Sequence, residues 1–277
     1  MEALTILMYP LLACILFVLI NTYFGVHVLE RGIIFVDLAL AQFIGLGIAL
    51  SYLLGHDPAD VYIYSFLFAV VGASILSLSK YISKLVYIEA FIGVLYIFSF
   101  ATSILVLDRT PHGLEEFKNI LNGNILWVNG QDVLIMFLIF SVIGIFHFLF
   151  RKKFIALSYE GHGTFLWEFL FFITFAMVLV SSVRIAGILQ VFAFLIVPAL
   201  IGRLYTRKPS RVLYTGWGIG ITATIIGITI SYISDLPTSA VLVSSLSVTF
   251  MALLALKFVT QRRKEKGESD RIIGKVN

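Results

Sequence analysis

Apolar residues along this chain of 277 residues fall in long, nearly unbroken runs. Nine such runs lie near 4–24, 32–54, 61–79, 86–107, 131–150, 166–183, 185–202, 212–233 and 237–258. Each approaches the roughly 20 residues that carry a helix across ~30 Å of hydrocarbon. Barrel strands would instead alternate apolar and polar positions over about ten residues. The pattern therefore predicts an all-α polytopic membrane protein of about nine transmembrane helices. Runs six and seven are parted only around Ser182, Val183 and Arg184, so that stretch reads as two spans or as one long buried helical hairpin. The one long connection, 108–130, has helical spacing at Leu114, Phe117, Leu121 and Leu126 behind Pro111 and Gly113. It reads as an amphipathic helix at the membrane surface.

Composition agrees with that reading. Sixty per cent of residues are hydrophobic and 13% are charged, against roughly a quarter charged in soluble domains. The single cysteine, Cys14, excludes a disulfide framework within the chain. Met1 to Gly25 lacks a basic start and a small-residue cleavage site, so it is expected to stay as a membrane helix.

Charge fixes an expected orientation. With the N-terminus outside and nine spans, the inside segments hold 17 of the 20 Lys and Arg residues. Only Arg109, Lys118 and Arg184 fall outside, among loops that carry Asp57, Asp60, Asp108, Glu115, Glu116, Asp132 and Asp235. This is the positive-inside distribution of a protein of the cytoplasmic membrane. The net charge of +4 then needs no nucleic acid; it reflects topology and contact with anionic lipid. Residues 1–258 are expected to form one transmembrane domain, and 259–277 a charged, partly disordered cytoplasmic tail.

Ionisable groups inside apolar spans are costly and mark candidate chemistry. Asp37, in GIIFVDLALAQFIGLGIAL, has no basic residue nearby in its run. It reads as a group on a substrate path, or as an interfacial carboxyl. Gln42 lies five positions on, about 140° round the helix, so the two border one cavity only if that cavity is wide. Glu89 opens the fourth run, with Gly93 and Tyr96 continuing its face. Glu168 opens the sixth, where it is expected to reach interfacial water. His147 is expected at the interface, one turn from Arg151. His112, Glu115 and Glu116 share one face of the outside segment if its helix includes His112; a zinc or manganese site and a solvated polar loop are both open there. GWGIG at 216–220 sits within a span and reads as helix packing. No Walker A motif, nucleophile elbow or acid–base pair is present, which argues against an enzyme.

Five blocks, in order, resemble the membrane subunits of ABC importers for zinc, manganese and iron. They are RGIIFVDLALAQFIGLGIAL, IEAFIGVLYIFSFATSILVL, EEFKNILNGNILWVNGQDVL, SSVRIAGILQVFAFLIVPALIGRLYTRKP and SDLPTSAVLV. The resemblance implies a permease subunit that dimerises, is driven by a separate cytoplasmic ATPase, and is fed by an extracytoplasmic metal-binding protein. A divalent metal would be the transported substrate, with no permanently bound cofactor. Asp37, Gln42, Glu89 and Tyr96 would line the pathway. Asp37 and Glu89 would be metal ligands, with His112, Glu115 and Glu116 as a second candidate set. The inside segment 151–165, with Arg151, Lys152, Lys153, Tyr159 and Glu160, would dock the ATPase. The chain departs from the family pattern at two places. Ala41 stands where the family has a histidine four residues after its aspartate, and Tyr96 where a histidine is common. A path short of imidazole favours a harder ion such as manganese. Two other readings remain at this level: an ion-coupled secondary transporter and a membrane scaffold subunit.

Overall fold

In hydrocarbon every backbone amide must be satisfied within its own segment, so long apolar runs become helices. A computed structural model describes residues 2–55, 58–110, 113–123, 125–161 and 163–273, and these form eleven α-helices. They are α1 (Glu2–Arg31), α2 (Val36–Leu53), α3 (Pro58–Ser77), the single turn α4 (Ser79–Ile82), α5 (Ile88–Leu107), α6 (Gly113–Asn122), α7 (Gly130–Leu149), α8 (Arg151–Tyr159), α9 (Phe165–Tyr205), α10 (Pro209–Ser234) and α11 (Thr238–Ile273). No strand occurs among the described residues. Eight of the helices are long and apolar enough to cross a membrane.

The longest of them, α9, accounts for the ninth pass. Its 41 residues are broken at Gly187, whose φ of 77° and ψ of 162° leave the helical region. The chain folds back there. At its start, Glu168 pairs with Arg31 at the end of α1; at its finish, Arg203 pairs with the neighbouring Glu30 at 2.8 Å. A straight helix would separate Glu168 from Arg203 by about 50 Å. Segment 165–186 thus runs antiparallel to α1 and segment 188–205 parallel to it. The expected hairpin is present, but its turn lies at Gly187, beyond Ser182–Arg184. An L-residue resists that φ. The ideal Cβ on Gly187 would also lie 2.3 Å from the carbonyl carbon of Asn122, and one on Gly123 (φ 61°) 2.3 Å from the Gly187 nitrogen. The end of α6 and the hairpin turn meet through two glycines.

Local chemistry sets the other boundaries. Asn129 and Asp132 form a capping box at the start of α7. Pro209 begins α10, and Asp235 ends it in the left-handed region. Within GWGIG, Gly216 and Gly220 pack as expected, Gly216 facing the Pro198 carbonyl of α9, where a Cβ would come within 2.7 Å, whereas Gly218 meets open space. Helix α6 is amphipathic, with Ile120 buried and Glu115, Lys118 and Asn119 exposed. Leu126 departs from the expected spacing. It sits in a short 3-10 turn, Ile125–Trp127, and is exposed.

Two ends of the bundle emerge. One gathers Arg31, Glu168 and Arg203, the Lys80 ammonium on the Gly163 carbonyl, and Lys257 on the Leu204 carbonyl. The other gathers Arg184 and Asp132, 3.6 Å apart, with Arg184 over the Tyr62 ring. The most buried helices are α2 and α9. Beyond the apolar part of α11 the backbone stays helical to Ile273, where a charged, partly disordered tail was expected. The Lys, Arg and Glu residues of that stretch are good helix formers.

Candidate functional site

Asp37 and Glu89 each occupy the first turn of a helix, α2 and α5, at the basic end of the bundle. A helix N-terminus favours a carboxylate there. Asp37 is 1% exposed, and neither of its oxygens has a hydrogen-bond partner. Glu89 is half-buried. Its Oε1 accepts from the Phe35 amide at 3.4 Å, and its Oε2 is buried and unpartnered. Phe35 is the residue that leads into α2, so this bond ties the starts of α2 and α5 together. A buried, unpartnered carboxylate is expensive, and a bound cation offsets that cost. These two groups are therefore the strongest candidates for receiving a cation.

The other sequence-predicted residues divide. Gln42 is buried one and a half turns further along α2. Tyr96, on α5, is half-buried and stacks on Phe100 at 5.9 Å, which meets Phe117 of α6. His112 and the Glu116 side chain lie outside the described residues, and Glu115 is exposed on α6. Among the described residues, no three His, Cys, Asp or Glu side chains come together as a metal-binding group. One copy thus offers scattered oxygen ligands.

The candidate docking segment forms α8, a short helix between α7 and α9. Arg151, Lys152, Lys153 and Glu160 are exposed, whereas Phe154, Leu157 and Ser158 are buried. Arg151 lies over the Phe148 ring. Tyr159 is half-buried; burial, reinforced by the Glu30 carboxylate and opposed by Arg203, pushes its phenol up to about 12. It stays a neutral hydrogen-bonding group at any physiological pH.

Two expectations of interfacial solvation fail. Glu168 is 6% exposed because Arg31 neutralises it, and Arg31 also lies over the rings of Phe171 and Phe172. His147 is 2% exposed, held by two hydrogen bonds and stacked on Phe154 of α8 at 3.9 Å. Its Nε2 meets Thr174, whose hydroxyl already donates to backbone carbonyls of α9. The Thr174 oxygen therefore accepts, Nε2 carries the proton, and Nδ1 accepts from the Tyr23 hydroxyl at 2.9 Å. His27 likewise bonds Ser158 of α8 at 2.8 Å. Sequence reasoning missed this network. Its signal was the spacing of Tyr23, His27 and Arg31, four apart on one face of an otherwise apolar α1.

Comparison with known proteins follows the same line. The model of the ABC 3 transport family matches residues 3–257. The chain is similar to "Manganese transport system membrane protein MntC" of Listeria innocua, 27% identical over 244 residues and covering 84% of each chain. It is similar to a "Probable iron transport system membrane protein" of Haemophilus influenzae, 24% identical over 256 residues and covering 89% of each. Among solved structures it resembles PsaBC from Streptococcus pneumoniae in complex with Fab. The TM-score is 0.75 at 22% identity, covering 91% of this chain and 93% of that one. It also resembles "An inward-facing conformation of a putative metal-chelate type ABC transporter", with TM-score 0.69 at 18% identity, covering 90% of this chain and 85% of that one. At these identities the structural likeness establishes the fold.

Proposed function

The chain belongs to the ABC 3 transport family, and on that premise we propose that it is the permease subunit of an ATP-driven importer for a divalent transition metal. It would act in the cytoplasmic membrane as a homodimer, with a separate cytoplasmic ATPase and an extracytoplasmic binding protein. The observation that carries this reading is the family match over 3–257. Relatives named for manganese and iron transport support the substrate class.

In this reading α2 and α5 border the pathway, with Gln42 and Tyr96 as polar lining. Asp37 and Glu89 supply oxygen ligands to the passing ion. Oxygen donors without imidazole suit manganese better than zinc. Weak, incomplete coordination by one copy also suits transport, because the ion must leave as readily as it arrives. The second copy would complete the ligand set across the dimer. His112, Glu115 and Glu116 would concentrate cations at the outer mouth. The exposed Arg151, Lys152 and Lys153 of α8 and Glu160 just past its end, with Tyr159 behind them, would receive the ATPase.

The test is manganese uptake into proteoliposomes holding the permease, supplied with its binding protein, with or without its ATPase. Uptake is expected only with ATPase and ATP together. Uptake by the permease alone, driven by an ion gradient, would establish a secondary transporter instead.

A further inference from the structure

At the basic end of the bundle, a cavity of about 300 Å³ opens between the α3–α4 junction and the start of α9. Ser77, Lys80, Tyr81 and Lys84 line one side; Gly163, Thr164, Phe165 and Glu168 line the other. We propose that this cavity binds the phosphate group of an acidic phospholipid.

Charge comes first. Two lysines, Lys80 and Lys84, line the cavity from the same short segment. The one carboxylate in its wall, Glu168, is already bound to Arg31, so the cavity is left positive. Lys80 is held in place by the Gly163 carbonyl at 3.1 Å, which keeps an ammonium at the rim. The hydroxyls of Tyr81 and Thr164 add polar partners, while Ser77 gives its proton to the Ser74 carbonyl. Thr164 is the N-cap of α9 but makes no capping bond with its side chain. The Trp167 and Glu168 amides donate to the Thr164 carbonyl, and those of Phe165 and Leu166 precede that first acceptor, a setting that suits phosphate oxygens.

The surroundings favour a lipid over a free anion. Phe165, which lines the cavity, is 48% exposed, and exposed apolar side chains adjoin the lining residues along the chain: Leu78 (42%), Leu85 (86%), Val86 (50%) and Leu166 (59%). A soluble phosphate has no use for them, whereas acyl chains lie against such surface. Tyr81 and Tyr87, both more than half exposed, add the aromatic groups typical of the headgroup level. Basic pockets between helices at the inner membrane face recognise acidic headgroups by this combination.

The experiment titrates the purified full chain in detergent with phosphatidylglycerol against phosphatidylcholine and counts retained lipid by native mass spectrometry. One phosphatidylglycerol should be retained preferentially. Lys80→Gln with Lys84→Gln should weaken retention about 25-fold, or about fivefold per lysine. Lys84→Gln alone leaves the Lys80–Gly163 bond intact and should give the about fivefold loss even if the double variant misfolds. Arg207→Gln with Lys208→Gln, exposed at the same end, should leave retention unchanged. Millimolar inorganic phosphate should not displace the lipid; displacement would assign the cavity to free phosphate and overturn the proposal. Equal retention of phosphatidylcholine, or equal loss in the Arg207/Lys208 variant, would overturn it as well.

Discussion

Arg31 at the end of α1 grips Glu168 at the start of α9, while the adjacent Glu30 grips Arg203 at its finish. One dipeptide thus holds both feet of the α9 hairpin. The Arg31–Glu168 pair is almost wholly buried, with side chains 10% and 8% exposed. Removing one partner strands the other charge. Arg31→Ala is expected to cost about 3–5 kcal/mol of stability, and Arg31→Ala with Glu168→Ala together much less. Thermal unfolding in detergent checks both. A double variant as unstable as the single one would show that the pair is not the anchor.

Gly187→Ala and Gly123→Ala each place a methyl group into the other turn's backbone. The positive φ adds about 1–2 kcal/mol of strain at either position. Both variants should reach the membrane poorly, and α6 should become sensitive to protease. Gly218→Ala, which meets open space, should behave as the native chain does.

The His147 tautomer sets a third expectation. Tyr23→Phe leaves Nδ1 buried without a donor, and Thr174→Val leaves Nε2–H without an acceptor. Each should cost about 1–3 kcal/mol. Nitrogen chemical shifts of labelled histidine should report an Nε2–H imidazole; an imidazolium, or the opposite tautomer, would contradict the assigned network.

On α8, Lys152→Glu with Lys153→Glu reverses two exposed charges without touching the buried Phe154, Leu157 or Ser158. Co-purification of the ATPase should fall at least about tenfold, because rim charges govern encounter and register. The thermal midpoint of the permease alone should not move. Unchanged co-purification would place the dock elsewhere.

Much of the fold was legible because a span has a length requirement that few residues can evade. Even the hairpin was visible as an interruption near Arg184. Its turn was misplaced because α-helix continues through Ser182 and Arg184 without penalty, and only glycine accepts the φ found at Gly187. Asp37 stood out because an acid inside an apolar run has no local partner to account for it. Glu168 and His147 were misread because their partners, Arg31 and Tyr23, lie 137 and 124 residues away. No local pattern reports a pairing at that range, although the four-residue spacing of Tyr23, His27 and Arg31 marked one half of it.

The most direct test of the central claim is manganese uptake by cells carrying the permease, its ATPase and its binding protein, with native chain or Asp37→Ala. Asp37→Ala should lose most uptake while its membrane abundance and ATPase binding hold, because no other carboxylate on α2 can receive the ion. Undiminished uptake of manganese, iron and zinc by the variant would contradict the account and remove Asp37 from the pathway.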